Sequence, residues 1–283
     1  MTAALLSVAL ALVLVGCRTS GISPPPHILL ISADALRADH LSLEGYPRRT
    51  SPHLDAFARS AWHFTQAVSV LPKTGPAMTT IFSGLYPNTH KVEANRYAIP
   101  DDVPLLAEML HAHGYRTAAF VSNPVLSAEK GYGRGFDVFE SIDGVSSANR
   151  AFTRWAEAKW TQPTFVWIHY IDPHGPYDPP ERFANLFHGD SLARDDRRRV
   201  ALEYEPIPGF SPQYALGAVP GYQRLGDEDR VAHYVGRYDG EIAFVDDAFS
   251  EIVELLRRDG RYDRTAVIFT SDHGESLGEH QYY

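Results

Sequence analysis

Short apolar runs alternate with longer amphipathic stretches along most of this 283-residue chain. Runs of four to eight β-branched and aromatic residues are typical of buried strands, whereas the stretches between them have helical periodicity. The predicted strands are His27–Ser32, Thr117–Ser122, Thr164–Tyr170 and Thr265–Thr270. Strands that alternate with helices predict a mostly parallel sheet with helices on both faces, that is, a doubly wound α/β fold.

Capping residues and glycines set the expected helix limits. Ser51 followed by Pro52 predicts a helix that runs to about Ser60. The other predicted helices are a short one around 79–82 that is entered just after Thr74, one from Asp101 and Asp102 to Gly114, and one over 227–258. The stretch 181–226 breaks the rhythm and is rich in Pro, Gly and charge, which predicts an insertion or a lid.

The first residues predict export. Ala3–Val15 is apolar and about the length of a signal-peptide core, and Cys17 follows before a polar, Pro-rich tether over 18–26. This pattern looks like a bacterial lipoprotein signal over 1–17, with Cys17 lipidated and the domain over 27–283 held on the cell envelope. No basic residue precedes the apolar run, so an uncleaved anchor stays open. Cys17 is the single cysteine, which excludes an internal disulfide.

The net charge of −9 argues against nucleic acid as the main partner. The basic run Arg197–Arg199 follows two aspartates, and we interpret it as a solvated helix face.

Polar side chains follow three predicted strands. Asp34 comes after the first, Asp172 and His174 after the third, and Asp272 with His273 after the last. Ligands bind at this edge of open α/β sheets, and carboxylate with imidazole suits Zn, Mn, Mg or Ca. A single Asp at a strand end is more often a turn former or a helix cap. The joint placement favours a divalent-metal site.

Thr74 lies in a Pro-Lys-Thr-Gly-Pro turn that enters a helix. One interpretation is a helix N-cap. The other is a nucleophile, because a helix N-terminus favours a bound anion and a divalent cation can hold a threonine hydroxyl as an alkoxide.

The chain resembles the sulfatase family of the alkaline phosphatase superfamily. The matching segments are ISADALRADHL, EGYPRRTSPHLDAFA, TGPAMTTIFSGLYPNTH, LAEMLHAHGYRTAAFVSNPVLS, HYIDPHGPYDPP, YDGEIAFVDD and FTSDHGESLGEH. The resemblance implies an alkaline phosphatase-like fold and a divalent-metal cofactor. It implies a sulfate- or phosphate-ester substrate, such as a small molecule, a glycan or a lipid head group.

The resemblance also implies roles for particular residues. Asp34, Asp272 and His273 match metal ligands, and Thr74 stands at the position of the nucleophile, where it would also contact the metal. His174 matches a histidine that contacts the transferred group or the leaving oxygen, and Asn95 matches a substrate-binding asparagine. For His169 and His280, a direct role and a positioning role are both open.

Several family positions carry other residues here. Ala35 replaces a second Asp, Met78 replaces an Arg, and Ser122 and Pro124 stand where many sulfatases have Lys and His. Formylglycine requires Cys or Ser at position 74, so Thr74 excludes that mechanism and favours phosphoryl transfer. The chain also ends soon after the last motif, from which we expect the family's C-terminal subdomain to be missing.

Three functions fit these features. The first is a metal-dependent hydrolase of sulfuric or phosphoric esters with Thr74 as nucleophile. The second is an envelope transferase that moves a phosphoryl or head group, which the expected lipid anchor motivates. The third is an inactive binding protein, motivated by the early end of the chain and the replaced family residues.

Overall fold

A computed structural model describes residues 26–202 and 218–279 of the chain. The expected signal sequence, Cys17 and His280 lie outside the described residues. Within the described residues, no helix is both long and apolar enough to cross a membrane.

The centre of the molecule is a parallel five-stranded sheet. In chain order the strands are β1 His27–Ala33, β2 Arg116–Val121, β3 Val138–Ser141, β4 Thr164–Tyr170 and β5 Thr265–Ser271. Their order across the sheet is β3-β2-β4-β1-β5, and all four neighbouring pairs are parallel. The predicted α/β class and the four predicted strands are confirmed, whereas β3 was not predicted.

The register brings the polar residues that follow the strands to one edge. Ala33 at the end of β1 pairs with Tyr170 of β4 and with Ser271 of β5. Asp34 and Asp272 therefore follow neighbouring strands at the same level. The backbone N–H of Asp34 donates to the Tyr170 carbonyl oxygen at 2.9 Å, so β1 stays paired up to the site.

Eight α-helices occur within the described residues. They are α1 Pro52–Ala58, α2 Thr74–Ser83, α3 Pro87–His90, α4 Leu106–Ala112, α5 Val145–Ala156, α6 Glu181–Ala184, α7 Ser191–Asp195 and α8 Val231–Arg258. Short 3-10 helices lie at Ala38–His40, Ser42–Glu44, Ala128–Lys130, Gly221–Gln223 and Tyr262–Arg264.

The sheet has a hydrophobic core on each face, as a doubly wound fold requires. On one face Leu29 and Ile31 of β1 pack with α5 and α8. On the other, Leu30 of β1 and Trp167 of β4 pack with α2 and α4. Alternate strand residues thus point to opposite cores, and burial of both faces explains the almost continuous apolar runs.

The structure corrects several predicted limits. Helix α4 begins at Leu106, not at the two aspartates, and the Leu105 N–H donates to Glu108 Oε2 at 3.1 Å. Helix α8 begins at Val231, not at 227. The helical interpretation of Arg197–Arg199 is wrong, because α7 ends at Asp195 and Arg199 forms an isolated antiparallel bridge with Arg230.

Candidate active site

Asp34 is the buried centre of the site, with no exposed surface. The side-chain amide of Asn123, which follows β2, donates a short hydrogen bond to Asp34 Oδ2. His273 Nε2 lies 3.4 Å from Asp34 Oδ1, and His169 Nε2 lies 3.7 Å from Oδ2. Asp34 thus joins residues from three neighbouring parts of the sheet.

Asp272 is held beside Asp34 by backbone groups. Its Oδ1 accepts hydrogen bonds from the N–H of Ala35 at 3.1 Å and from the N–H of His273 at 2.8 Å. Ala35 has a left-handed backbone with φ 57°, and its carbonyl oxygen accepts from the Tyr238 hydroxyl at 2.7 Å. The residue that replaces the expected second Asp therefore still positions the site through its backbone.

Asp34, Asp272 and His273 each offer one ligand atom, and these atoms lie within 4.8 Å of one another. Asp272 Oδ2 is buried with no hydrogen-bond partner among the described residues, and so is His169 Nε2 beside Asp34. Two carboxylates and an imidazole are suitable donors for a divalent cation, which would satisfy the unpaired carboxylate oxygen. The described residues therefore fit a metal, and the three residues predicted from the sequence are brought together.

The two carboxyl groups are electrostatically unequal. Burial opposes ionisation of Asp34, but the nearby imidazole of His169 and the charges of His174 and His273 hold its pKa below the usual range. Burial and then the negative charge of Asp34 raise the pKa of Asp272 to about 6. Without a cation, close carboxylates disfavour double ionisation, and a bound cation would reverse that preference.

Thr74 is the first residue of α2, and its hydroxyl faces the carboxylate cluster. Thr74 Oγ1 lies 3.2 Å from Asp34 Oδ2 and 3.4 Å from His273 Nε2. The N-cap residue is Lys73, so the N-cap interpretation of Thr74 is wrong. The helix instead holds a buried hydroxyl against the candidate metal ligands.

Asn95 contacts Gly75, the residue that follows Thr74. Its Oδ1 accepts a hydrogen bond from the Gly75 N–H at 2.9 Å. A Cβ on Gly75 would lie 3.2 Å from both the Cα and the Oδ1 of Asn95, so a larger residue at position 75 would push Asn95 away slightly. The predicted contact between Asn95 and substrate stays a prediction.

His174 borders the site, and one of its two ring nitrogens is already hydrogen bonded to the backbone. Its Nδ1 donates to the Gly175 carbonyl oxygen at 2.8 Å. Burial lowers the pKa of His174, but the charges of Asp34 and Glu275 outweigh it and leave the pKa raised. The two acids thus favour the protonated form of His174, which is suited to stabilise negative charge or to donate a proton.

The insertion reaches this side of the site. Tyr222 stacks on His174 with ring centroids 6.2 Å apart, and Gln223 donates to Glu275 Oε1 at 2.6 Å. The contacts agree with an insertion that covers the site, although residues 203–217 of it lie outside the described ones.

Four residues near the site were not predicted: Asn123, Gln223, Glu241 and Glu275. Asn123 had a usable signal, because it is a polar residue directly after the predicted strand at 117–122. Asp172 does not join the candidate metal ligands; its side chain interacts instead with the buried carboxyl group of Glu241 on α8.

Two other substituted positions have structural roles. The Ser122 hydroxyl donates to the His169 carbonyl oxygen at 2.9 Å and accepts from the Ile171 N–H at 2.8 Å. Met78 is fully buried in the core between α2 and the sheet. Ser122 thus joins the ends of β2 and β4.

Comparison with known proteins agrees with this geometry. The family model described as Sulfatase matches residues 26–283. The chain belongs to the sulfatase family. An "Ulvan-active sulfatase" from Formosa agariphila is 25% identical over 288 residues, which cover 89% of this chain and 51% of the relative.

Solved structures show the same fold. The phosphonate monoester hydrolase of Agrobacterium radiobacter has a TM-score of 0.71 at 22% identity, over 90% of this chain and 64% of that one. A structure in complex with its substrate, D-glucosamine-2-N,6-O-disulfate, has a TM-score of 0.72 at 18% identity, over 91% of this chain and 67% of that one. The chain thus spans about half to two thirds of the length of these family members.

Proposed function

We propose that this protein cleaves sulfate or phosphate esters with Thr74 as nucleophile at a divalent-metal site. The observation that supports this most is the Thr74 hydroxyl, which lies 3.2 Å from Asp34 and 3.4 Å from His273. The relatives support the ester class, because one is named a sulfatase and another a phosphonate monoester hydrolase.

Asp34, Asp272 and His273 would hold the cation. When bound, a divalent cation supplies charge that polarises the ester group and lowers the pKa of the Thr74 hydroxyl. Calcium, manganese, zinc and magnesium are all compatible with two carboxylates and an imidazole.

Thr74, Asp34 and His174 would carry out the nucleophilic attack and the proton transfers. The Thr74 proton leaves along its hydrogen bond to Asp34, and Oγ1 attacks the sulfur or phosphorus. The bond to the leaving ester oxygen breaks, and His174 protonates that oxygen through Nε2, since Nδ1 is held by Gly175. Water then attacks the sulfur or phosphorus of the Thr74 ester and gives one proton to His174. The bond to Oγ1 breaks, Asp34 returns its proton to Oγ1, and the sulfate or phosphate product is released.

A Thr74→Val variant tests the proposal because valine keeps the shape and removes the hydroxyl. With manganese or zinc added, we expect turnover of an aryl sulfate, phosphomonoester, phosphodiester and phosphonate panel to fall at least about a thousandfold. Thr89→Val, at an exposed position of α3, is the control and should leave turnover unchanged. Full activity of Thr74→Val would refute the nucleophile.

We also propose export to the bacterial cell envelope with lipidated Cys17 as the membrane anchor. The support is sequence alone: an apolar run, a cysteine and a Pro-rich tether. A Cys17→Ser variant should move from the membrane fraction to the soluble fraction. An unchanged distribution would argue for another means of attachment.

A further inference from the structure

A cavity lined with arginines lies away from the Thr74 cluster, between α8 and the insertion. Its volume is about 460 Å³. We call it the arginine cavity, defined by Arg194, Arg197, Arg198, Arg199, Arg230 and Arg237. His188 and His233 also line it, and Asp196 is the acidic residue among its described lining residues. This concentration of positive charge contrasts with the chain's net charge of −9.

The backbone forces arginines of the cavity together. Arg199 and Arg230 stand opposite each other in an isolated antiparallel bridge. Hydrogen bonds on either side maintain it, from the Val200 N–H to the Asp229 carbonyl oxygen at 2.8 Å and from the Val231 N–H to the Arg198 carbonyl oxygen at 3.2 Å. Like charges directly opposite each other are destabilising. Asp229 and Glu228 offset part of this repulsion, and a bound anion would offset more of it.

Carboxylates neutralise only part of this charge. Arg198, Arg199, Arg230 and Arg237 pair with Asp196, Asp229, Glu228 and Asp178, respectively. Arg194 and Arg197 have no carboxylate partner within the part of the chain that the structure describes. The cavity therefore keeps an excess of positive charge after its internal ion pairs are counted.

Hydrogen-bond donors also remain. A guanidinium has five N–H groups. Arg230 uses Nε and Nη2 toward Glu228, and Arg237 uses Nε toward the Tyr177 carbonyl oxygen and Nη2 toward Asp178. Arginines of the cavity thus keep N–H groups that can donate to an oxyanion such as sulfate or phosphate, which a guanidinium binds with better geometry than an ammonium does.

The cavity is physically joined to the candidate active site. Arg237 binds Tyr177 and Asp178, which belong to the same loop as His174. The next residue of α8, Tyr238, donates to the Ala35 carbonyl oxygen and accepts from the Arg37 N–H at 2.9 Å. One helix therefore lines the cavity with one side chain and supports the metal ligands with the next.

We propose that the arginine cavity binds a sulfate or phosphate group of a polyanionic glycan substrate, apart from the ester that is cleaved. This inference rests on the proposed function and specifies its substrate class. A small aryl ester carries one anionic group and gains nothing from the cavity, whereas a multiply sulfated chain carries further anionic groups that the cavity can bind.

The test is calorimetric titration of a heparin hexasaccharide into the full chain in EDTA, which removes metal-dependent binding at the Thr74 site. The cavity variant is Arg194→Gln with Arg197→Gln, which leaves no carboxylate without its partner. The matched control is Arg150→Gln with Arg154→Gln, two exposed arginines of α5. Inorganic sulfate and a desulfated hexasaccharide separate a free anion from a substituent on a glycan.

We expect the hexasaccharide to bind and the cavity variant to lose at least about tenfold in affinity, while the control loses less than about twofold. Binding should weaken when the salt concentration is raised from about 50 to about 200 mM, because salt screens contacts between charged groups. This increase shortens the Debye length about twofold. Absence of binding, equal loss in both variants, or equal affinity for the desulfated sugar would overturn the proposal.

Activity measurements separate this inference from the proposed function. Turnover of an aryl ester should be the same in the wild type and the cavity variant, since the substituted arginines do not contact the Thr74 cluster. If no ester is turned over but the cavity variant still loses hexasaccharide binding, the hydrolase is refuted and the anion site is retained. If esters are turned over and binding is unchanged, the anion site alone is refuted.

Discussion

At the scale of single residues, the site depends on the side chains that stabilise the buried negative charge of Asp34. Its side chain is fully buried and contacts Asn123, Thr74 and two imidazoles. A buried carboxylate needs compensating donors to stay ionised. Asn123 is, with Thr74, a neutral donor of this group, and its amide holds Asp34 in place without adding a charge.

Replacement of Asn123 by Ala tests this role. The variant loses the amide that donates to Asp34 Oδ2, so the ligand becomes less ordered and its pKa rises. We expect manganese or zinc affinity to fall by about 10- to 100-fold, the range typical when a partner of a metal ligand is removed. Metal titration of the purified variant measures this.

Asn88→Ala is the control because Asn88 is exposed at α3. Wild-type metal affinity in Asn123→Ala would show that the amide does not support the ligand.

The sequence was sufficient to predict the polar residues that follow the strands and the threonine that begins α2. Asp34, Thr74, Asp272 and His273 were predicted and are brought together. Glu275 and Gln223 were not predicted, because their pairing joins the last motif to an insertion with no recognisable pattern. Side-chain pairs between distant segments leave no periodic signal in a single sequence.

At the scale of elements, α8 contains three buried acidic residues: Asp239, Glu241 and Asp246. Glu241 on this helix is buried and interacts with Asp172, which follows β4. Burial, and then the negative charge of Asp172, raises the pKa of Glu241 to about 10. Burial also raises the pKa of Asp172. Two interacting acids with raised pKa values favour retention of a proton between them, which would link α8 to the loop that leads to His174.

This pair predicts a pH-dependent stability. Glu241 has a folded pKa of about 10 against an ordinary value of 4.5, so the folded state binds the extra proton between these values. The contribution of Glu241 to the free energy of unfolding should be fully present below pH 4.5. It should fall as the pH rises toward 10, by at most about 1.4 kcal/mol per pH unit. Calorimetric melting from pH 6 to 9 measures the slope.

Glu241→Gln supplies a permanent amide donor and should flatten that slope, whereas Glu254→Gln, exposed on the same helix, should not. The same slope in Glu241→Gln as in the wild type would disprove the shared proton.

Among the elements, long periodic helices were easier to predict than short ones. The end of α8 at Arg258 was predicted, but its start was placed at 227 because polar residues there resemble a first helical turn. Strand β3 has four residues, lies at a sheet edge and is half-exposed, so its pattern lacks a buried strand's apolar run. Tertiary pairing with β2 decides it.

At the scale of the whole molecule, the candidate metal ligands join the first and last strands of the sheet. Asp34 follows β1 and Asp272 follows β5, and β5 has β1 as its strand neighbour among the described residues. A cation bound by both would therefore add a link at the outer edge of the sheet. Such a ligand stabilises the folded state because the unfolded chain has no assembled site.

Metal removal should destabilise the protein. At a free metal concentration about 100 times Kd, binding contributes about 2.7 kcal/mol, and EDTA removes it. We expect a lower melting temperature in EDTA, restored by manganese or zinc, with activity lost and regained in parallel. Differential scanning calorimetry with and without metal measures the shift.

Asp272→Asn should abolish the metal-dependent part of that shift, since it weakens one of the three candidate ligands. A melting temperature that is indifferent to metal in the wild type would contradict the proposed site.

The pairing of β1 with β5 also has a consequence for biosynthesis. Asp34 emerges from the ribosome early, but its partner Asp272 follows 238 residues later. A nascent chain cannot assemble the three candidate ligands until β5 and the residues that follow it have been translated. Metal binding would therefore report that β5 has paired with β1, and products that end before β5 would be released without it.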